Sequence, residues 1–281
     1  MKALVFAFFL FFSPVYGKKK SLSLEQLLSG KHFRLQLIST GAHQENCLQL
    51  IVRYTGPDSL ELRLQPGLRF NSLNDQEQDL LLTASPTLQL GKGVETRLML
   101  RAFCCQASLR GPAIGGRYEL AAKQDSSLQQ LASYLFRRAY STAITQQAIW
   151  VLSDGKPLAG IPDTSENLQS LRVLLAHLGG QKIPWYHLDY VSGQWRSGQL
   201  YQYPKSLRAR VLLNNAQDDY ITLTIVNSAG LPCGKILRHW LKPGLQQAYD
   251  LDIPLTGLTP GNYAVILQGK ESVLYRGEFE V

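Results

Sequence analysis

The sequence lacks most of the motifs that would place it among enzymes or metal proteins. The four cysteines are Cys47, Cys104, Cys105 and Cys233. They form no Cys-x-x-Cys pair and the five histidines are scattered, which argues against a structural zinc site. There is no Gly-x-Ser-x-Gly elbow, and no phosphate-binding loop follows the glycines at 111–116. We therefore expect no enzymatic activity, no nucleotide binding, no metal and no cofactor.

Charge is scarce and dispersed. Only 18% of the residues are charged, and 29 Lys and Arg against 21 Asp and Glu give a net charge of +8. No stripe of basic residues alternates with aromatic residues, so we expect no nucleic-acid binding. The positive charge suits an acidic surface or a glycan, and a solvated surface without a specific partner is the common alternative.

The N-terminus has the layout of a secretory signal peptide. Lys2 precedes an apolar run at 3–12, and compact residues lead to Gly17. The run is too short to span a membrane as a helix. We predict cleavage after Gly17 and an exported protein (outer surface, periplasm or secreted) that meets the membrane only through residues 1–17. The lysines at 18–20 oppose export, and a short uncleaved anchor is the alternative.

The rest of the chain predicts a mainly β fold. Residues 32–120 alternate apolar and polar side chains, as half-buried strands do, and residues 207–281 do so again. The predicted units are an α+β domain at 18–180, an aromatic hairpin or linker at 181–204, and an immunoglobulin-like β-sandwich at 205–281. The first unit would be an antiparallel β-sandwich or barrel followed by three helices within 126–179.

Three helix starts follow from capping residues. Ser126 begins a capping-box pattern, Ser141 precedes a second apolar periodic stretch, and Asp163 or Thr164 precedes a third. Gly179-Gly180 should end the third helix.

The segment at 181–204 is unusually aromatic. Its candidate binding residues are Trp185, Tyr186, Trp195 and Tyr201. Ser192-Gly193 suggests a hairpin turn between two short strands. Exposed rings could stack on sugars, but we favour packing between the two domains.

The C-terminal sequence ends in several regular strands and contains Leu-Thr-Pro-Gly-Asn-Tyr at 258–263. With the stretches at 221–230 and 252–267, it resembles the immunoglobulin-like, FlgD-like tails of proteins that Bacteroidetes export by type IX secretion. The resemblance implies a sandwich that acts as a sorting tail. The usual Pro-Asn-Pro is replaced by Tyr203-Pro204-Lys205, so an accessory sandwich without a sorting role is equally compatible.

A six-residue stretch in the second predicted helix reads Thr-Gln-Gln-Ala-Ile-Trp at 145–150. It resembles the Thr-Gln-x-Ala-Ile-Trp motif of the thioester domains of bacterial surface adhesins. The matching residues are Thr145, Gln146, Ala148, Ile149 and Trp150. The resemblance implies that the glutamine condenses with a cysteine, releases ammonia and forms a thioester that can capture an amine on a surface protein.

Phe103-Cys104-Cys105 fits the aromatic-cysteine element that supplies the sulfur in those domains. Adjacent residues of a strand face opposite ways, so only one of Cys104 and Cys105 can point at the helix. We expect one of them to contact Gln146. The alternatives are a buried thiol, a disulfide with Cys47, or a cysteine hydrolase that uses a histidine such as His43.

These observations favour an exported, non-catalytic surface protein that binds or adheres through its first domain. Its partner would be a surface-protein amine or a glycan. An inert envelope component with a secretion tail is the alternative.

Overall fold

The structure is a computed structural model that describes residues 21–24, 26, 30–191, 194–196, 199–201, 203–234 and 237–281. The predicted signal peptide at 1–17 lies outside the described residues. Within these ranges, no helix has the length and apolar character needed to cross a membrane.

The described residues form eighteen strands and three α-helices. The strands of the first half are β1 (Ser21–Leu22), β2 (Phe33–Ser39), β3 (Gln44–Tyr54), β4 (Leu60–Arg63), β5 (Arg69–Ser72), β6 (Leu80–Leu82), β7 (Thr87–Leu90), β8 (Glu95–Cys104) and β9 (Arg117–Leu120). The helices are α1 (Ser126–Phe136), α2 (Thr142–Ser153) and α3 (Glu166–Gly179). The strands of the second half are β10 (His187–Tyr190), β11 (Gln194–Arg196), β12 (Gln199–Tyr201), β13 (Pro204–Asn215), β14 (Asp219–Asn227), β15 (Leu237–Leu241), β16 (Gly244–Pro254), β17 (Asn262–Gln268) and β18 (Val273–Glu280).

Six strands close into a barrel in the order β2-β3-β8-β6-β5-β9. Alternate residues of β3, such as Leu48, Leu50 and Val52, are fully buried inside it, as a half-buried strand requires. A small sheet of order β1-β4-β7 contributes Leu62 and Leu88 to the same core. The mainly β prediction is confirmed, and of its two forms the barrel is present.

The three predicted helices are confirmed, but two of their caps are not. The N-cap of α1 is Asp125 rather than Ser126, since the Asp125 carboxylate accepts hydrogen bonds from the N–H groups of Ser127 and Leu128. The N-cap of α3 is Ser165 rather than Asp163 or Thr164. Ser141 caps α2 as predicted. Gly180 closes α3 in the left-handed conformation, with φ of 62°, which glycine adopts without a steric penalty.

The second half is an immunoglobulin-like sandwich. One sheet has the order β10-β13-β16 and the other β15-β14-β17-β18. Leu207 and Leu213 of the first sheet meet Val265 and Leu267 of the second in one buried cluster. β10, β13 and β16 thus form one sheet and β14, β15, β17 and β18 the other. In the constant-type immunoglobulin order the fourth strand lies in the sheet of the first, whereas here the fourth strand, β15, lies in the opposite sheet.

The motif at 258–263 forms a tyrosine corner at the start of β17. The Tyr263 hydroxyl donates a hydrogen bond of 2.7 Å to the Thr259 carbonyl, four residues upstream. Its ring stacks on Phe279 at 5.6 Å between centroids. This corner is a hallmark of immunoglobulin-like sandwiches and explains the spacing of the proline, glycine and tyrosine.

We expect Tyr263→Phe to lower the free energy of unfolding by about 1–2 kcal/mol, because the Thr259 carbonyl loses its donor. Urea denaturation followed by fluorescence measures the loss. Tyr220→Phe is the matched control, because Tyr220 is 62% exposed and a surface change should stay within roughly 0.5 kcal/mol. Equal losses in the two variants would contradict a structural role for the corner.

The predicted linker takes part in both halves. β10 is the first strand of the sandwich, pairing with β13. β11 pairs with β12, so a hairpin lies within the predicted linker. Ser192-Gly193, where a turn was predicted, lie outside the described ranges. The predicted linker therefore contains the strands β10, β11 and β12 and the start of β13.

Arg172 of α3 ties the helices to this linker. Its guanidinium donates to the carbonyls of Pro184 and Tyr186, at 2.6 and 2.9 Å, and lies 3.2 Å from the Asp163 carboxylate. The same carboxylate is 3.0 Å from His187 Nδ1. A buried cation thus fixes the position of the chain that enters the sandwich.

Candidate functional site

The two adjacent cysteines lie at the end of β8 and face opposite sides of the barrel wall. Cys104 belongs to the barrel core, together with Ala102 and Leu100. Cys105 and Phe103 belong to the cluster under the helices. The helix-facing cysteine is therefore Cys105, which the sequence alone could not decide.

Gln146, however, contacts Cys104. The Gln146 Nε2 amide donates to the Cys104 carbonyl at 2.7 Å, and the Cys104 N–H donates to Gln146 Oε1 at 3.2 Å. β3 starts at Gln44, opposite Phe103, so among the described residues no strand continues along this edge of β8 beyond that pair. The Gln146 carboxamide forms the two hydrogen bonds that a neighbouring strand would otherwise form, one with the backbone N–H of Cys104 and one with its backbone C=O.

A bulge in β3 places helix α2 at this edge. The β3–β8 pairing shifts register between Glu45 and Leu48, and Glu45 has a φ of 66°. Its carboxylate accepts a hydrogen bond of 2.8 Å from the Thr142 hydroxyl in the first turn of α2, and it pairs with Arg101 at 3.2 Å. The Thr142 bond, followed by Arg101, lowers the pKa of Glu45. A carboxylate there also suits the positive end of the helix dipole.

The other end of α2 is attached to Cys105 and Ala107, just after β8. The Ser153 hydroxyl donates to the Cys105 carbonyl at 2.6 Å, and the Asp154 carboxylate accepts the Ala107 N–H at 2.9 Å. The helix is thus held at both ends, so that Gln146 is positioned at Cys104 by several independent contacts.

The thiols of this region are protonated. Burial raises the pKa of Cys47 and of Cys105 to about 12, and raises the pKa of Cys104 well above its usual range. All four cysteines, including Cys233, are free thiols in the structure.

The Cys104 thiol lies on the same edge as Gln146. It donates to the His43 carbonyl at 3.0 Å, and His43 directly precedes the start of β3. The Cys105 backbone N–H bonds instead to Asp79 on the opposite neighbour, and its side chain is under the helices. Of the two sulfurs, Cys104 Sγ is the one hydrogen-bonded to His43, a residue that lines a cavity together with Gln146.

A cavity of about 400 Å³ opens over this edge. Its walls include His43, Ile144, Gln146, Trp150 and Tyr190. Although Gln146 lines it, that residue is only 5% exposed. Burial lowers the pKa of His43, so the imidazole is neutral at physiological pH.

Trp150 contributes an indole N–H that finds no acceptor among the described residues. The residue is 6% exposed and lies one helical turn after Gln146, on the same wall of the cavity. Helical side chains lean toward the N-terminus, so the indole covers the turn that carries Gln146. A buried donor of this kind is available to an oxygen at the site.

The remaining motif residues are part of the core. Thr145, Ala148 and Ile149 are buried, the last two in the cluster under the helices. Cys47 lies in the barrel, where its thiol donates to the Ala102 carbonyl at 3.1 Å. These residues hold α2 and β8 in contact and do not line the cavity.

Two of the four candidate aromatic residues, Trp185 and Tyr186, pack against β18 of the sandwich. Trp185 donates its indole N–H to the Glu278 carbonyl at 2.7 Å and meets Tyr186 and Tyr275 edge-on. Tyr186 is 8% exposed. Trp195 and Tyr201 belong to β11 and β12, but their side chains lie outside the described residues.

Sequence reasoning missed the Asp163–Arg172–His187 group and the Glu45 anchor. Among the described residues, no group of three or more His, Cys, Asp or Glu side chains is arranged to hold a metal ion. His43, considered only as a hydrolase base, instead lines the cavity beside Gln146.

Comparisons with known proteins give little. No protein-family model matches the chain, and no curated protein matches it. Among solved structures, the CBM51-2 and INT domains of ZmpB from Clostridium perfringens show a distant similarity, with 11% identity over 90% of this chain and 80% of that chain and a TM-score of 0.16. A TM-score this low supports no conclusion about fold or function.

Proposed function

We propose that this chain is an exported surface-binding protein whose first domain captures an amine through a thioester between Cys104 and Gln146. The observation that carries the proposal is the docking of the Gln146 carboxamide on the Cys104 backbone, with Gln146 also lining a cavity. The Thr-Gln-x-Ala-Ile-Trp resemblance and the apolar N-terminal run support it independently.

The first step joins the two side chains. Cys104 Sγ attacks Gln146 Cδ, the carbon–nitrogen bond breaks, and the amide nitrogen leaves as ammonia with the thiol proton. The burial of Cys104, 1% exposed, shields the product from hydrolysis. The Cys104 N–H already points at Gln146 Oε1, and the Trp150 indole N–H can stabilise the same oxygen as negative charge develops on it.

The second step transfers the acyl group to a ligand. An amine that enters the cavity attacks Gln146 Cδ, the carbon–sulfur bond breaks, and the Cys104 thiol is restored as an amide forms. The neutral imidazole of His43 lines the path and can accept the proton that the amine releases. The protein is consumed in the reaction, which is capture rather than turnover.

Intact mass of the purified protein tests the proposal. The wild-type chain should weigh one ammonia less than its sequence requires, and incubation with methylamine should add methylamine at Gln146. Cys104→Ala and Gln146→Ala should both have the full sequence mass and should not react.

Cys105→Ala is the matched control, because it removes the neighbouring thiol, which is on the other face of β8. It should keep the mass deficit. A deficit of two hydrogens instead of an ammonia would indicate a disulfide, and a full wild-type mass would leave Gln146 as a structural bracket between helix and strand.

Export is tested separately. N-terminal sequencing of the protein from the medium or cell envelope should begin at Lys18. A protein that begins at Met1 would favour the anchored form, and a sorting tail predicts that residues 205–281 are removed or modified after export.

A further inference from the structure

A second and larger cavity adjoins the one at Gln146. It has a volume of about 630 Å³ and lies between the helices and the sandwich. Gln147, Leu188 and Tyr190 line both cavities. A ligand whose amine reaches Gln146 can therefore extend across Gln147 into the larger space. We call the two together the groove.

The rim of the larger cavity is positively charged. Lys156 follows α2, Lys182 follows α3, and Lys205 lies in β13, so three separate elements bring a lysine to one opening. None of the three forms an ion pair with a residue that the structure describes. Glu280 is the one acidic side chain among the residues that line this cavity.

The smaller cavity is not basic in the same way. Its acidic residue, Asp189, lies 3.0 Å from Arg208 and accepts a hydrogen bond from Ser206, so its charge is compensated. The floor of the larger cavity is apolar and aromatic, with Leu158, Tyr186 and Leu258. The groove thus offers an acyl site at one end and an apolar floor under a basic rim at the other.

We infer that the groove recognises an acidic polypeptide segment that carries a lysine, with the lysine amine at Gln146 and neighbouring carboxylates at Lys156, Lys182 and Lys205. This inference rests on the proposed function and adds the class of partner. Complementary charge concentrates such a segment at the opening and accelerates encounter, an effect that salt screens. A free small amine gains nothing from the rim.

The test compares synthetic peptides of equal length that contain one lysine. One has aspartate and glutamate around the lysine, the second has serine and asparagine, and the third has arginine. The rate at which each forms an adduct at Gln146 is measured by mass spectrometry, beside the rate with methylamine. We expect the acidic peptide to react about tenfold faster than the neutral one, within the range seen for electrostatic steering, and the arginine peptide to react more slowly than either.

The triple variant Lys156→Glu/Lys182→Glu/Lys205→Glu should remove the preference for the acidic peptide, with each peptide rate taken relative to the methylamine rate of the same variant. The matched control Lys92→Glu/Lys123→Glu/Lys270→Glu changes net charge equally, but its three exposed lysines do not line the groove. It should retain most of the preference. About 1 M salt, where the Debye length is roughly 3 Å, should abolish the preference in the wild type.

The outcomes separate the two proposals. If methylamine forms no adduct, the thioester is wrong, and binding of the acidic peptide to Gln146→Ala, measured by fluorescence anisotropy, still decides whether the groove selects acidic chains. If methylamine reacts but the three peptides react equally, the thioester stands and the inference is overturned. If the two triple variants lost the preference for the acidic peptide equally, the inference would also be overturned, because the preference would then come from net charge alone.

Discussion

Replacing Asp163 by asparagine is expected to destabilise the protein by about 3 kcal/mol, because a buried cation loses its counter-charge. Arg172 is 1% exposed and keeps only the carbonyls of Pro184 and Tyr186 when the carboxylate is removed. Burial already lowers the pKa of Arg172, and Asp163 opposes that effect. Asparagine retains the shape of the side chain and one acceptor oxygen, so the decrease in the free energy of unfolding reflects the lost charge rather than a change in packing. Urea denaturation at neutral pH measures it.

Asp252→Asn is the matched control for this change. Asp252 lies 3.4 Å from Arg208, and both side chains are more than half exposed. Exposed ion pairs contribute about 0–1 kcal/mol, so this variant should unfold nearly as the wild type does. If Asp163→Asn were as mild as the control, the junction between α3 and β10 would not depend on the buried charge.

The fold could be predicted from local patterns, but its closure could not. Alternation in β3 and β8 indicated strands, and the Ser141 cap with its apolar period indicated α2. Whether the strands formed a sandwich or a barrel depends on the pairing of β2 with β9, which joins residues about eighty positions apart. Nothing local to either strand specifies that pairing, because it is decided by the shape of the whole core.

The site was predicted in part. A motif match indicated that Gln146 would meet the cysteine pair, and its carboxamide bonds to the backbone of Cys104. Condensation with a sulfur stays a prediction. The alternation of side chains along a strand left Cys104 and Cys105 equally eligible, and in the structure the Cys105 side chain belongs to the cluster under the helices. The contact goes to the backbone of Cys104 because β3 begins only at Gln44, opposite Phe103, a consequence of strand length that the sequence does not reveal.

Arg172 was a signal that could have been read. It lies four residues after Leu168 and three before Leu175, so helical spacing puts it on the apolar face of α3. A cation there needs a buried partner, and the nearest acidic residue before the helix is Asp163. The hydrogen bonds to the linker carbonyls depend on the path of the chain after Gly180 and could not be inferred.

Gln146→Glu is expected to make stability depend strongly on pH. The introduced carboxyl has the shape of the amide, and its protonated form can donate to the Cys104 carbonyl as Nε2 does. The ionised form would place a buried negative charge against that carbonyl. Burial therefore raises the pKa of the introduced group above the value of about 4.3 that it has in the unfolded chain. The Gln146→Glu substitution also removes the nitrogen that would leave as ammonia, so the variant should have its full sequence mass.

The sign follows from proton binding. Below about pH 4 both states hold the proton, and the variant should be nearly as stable as the wild type. As the pH rises further, the unfolded chain ionises while the folded chain keeps its proton, so the free energy of unfolding falls by about 1.4 kcal/mol per pH unit until the folded pKa is reached. At pH 7 we expect a loss of roughly 2–4 kcal/mol relative to the wild type at the same pH.

Gln147→Glu is the matched control, because the neighbouring side chain is half-buried and lines the open groove, where a charge remains hydrated. Its stability should follow the pH dependence of the wild type within about 1 kcal/mol. Urea denaturation of the three proteins between pH 4 and pH 8 makes the comparison. If the two glutamate variants changed alike with pH, the Gln146 carboxamide would not be locked against Cys104, and its position for condensation would have no energetic support.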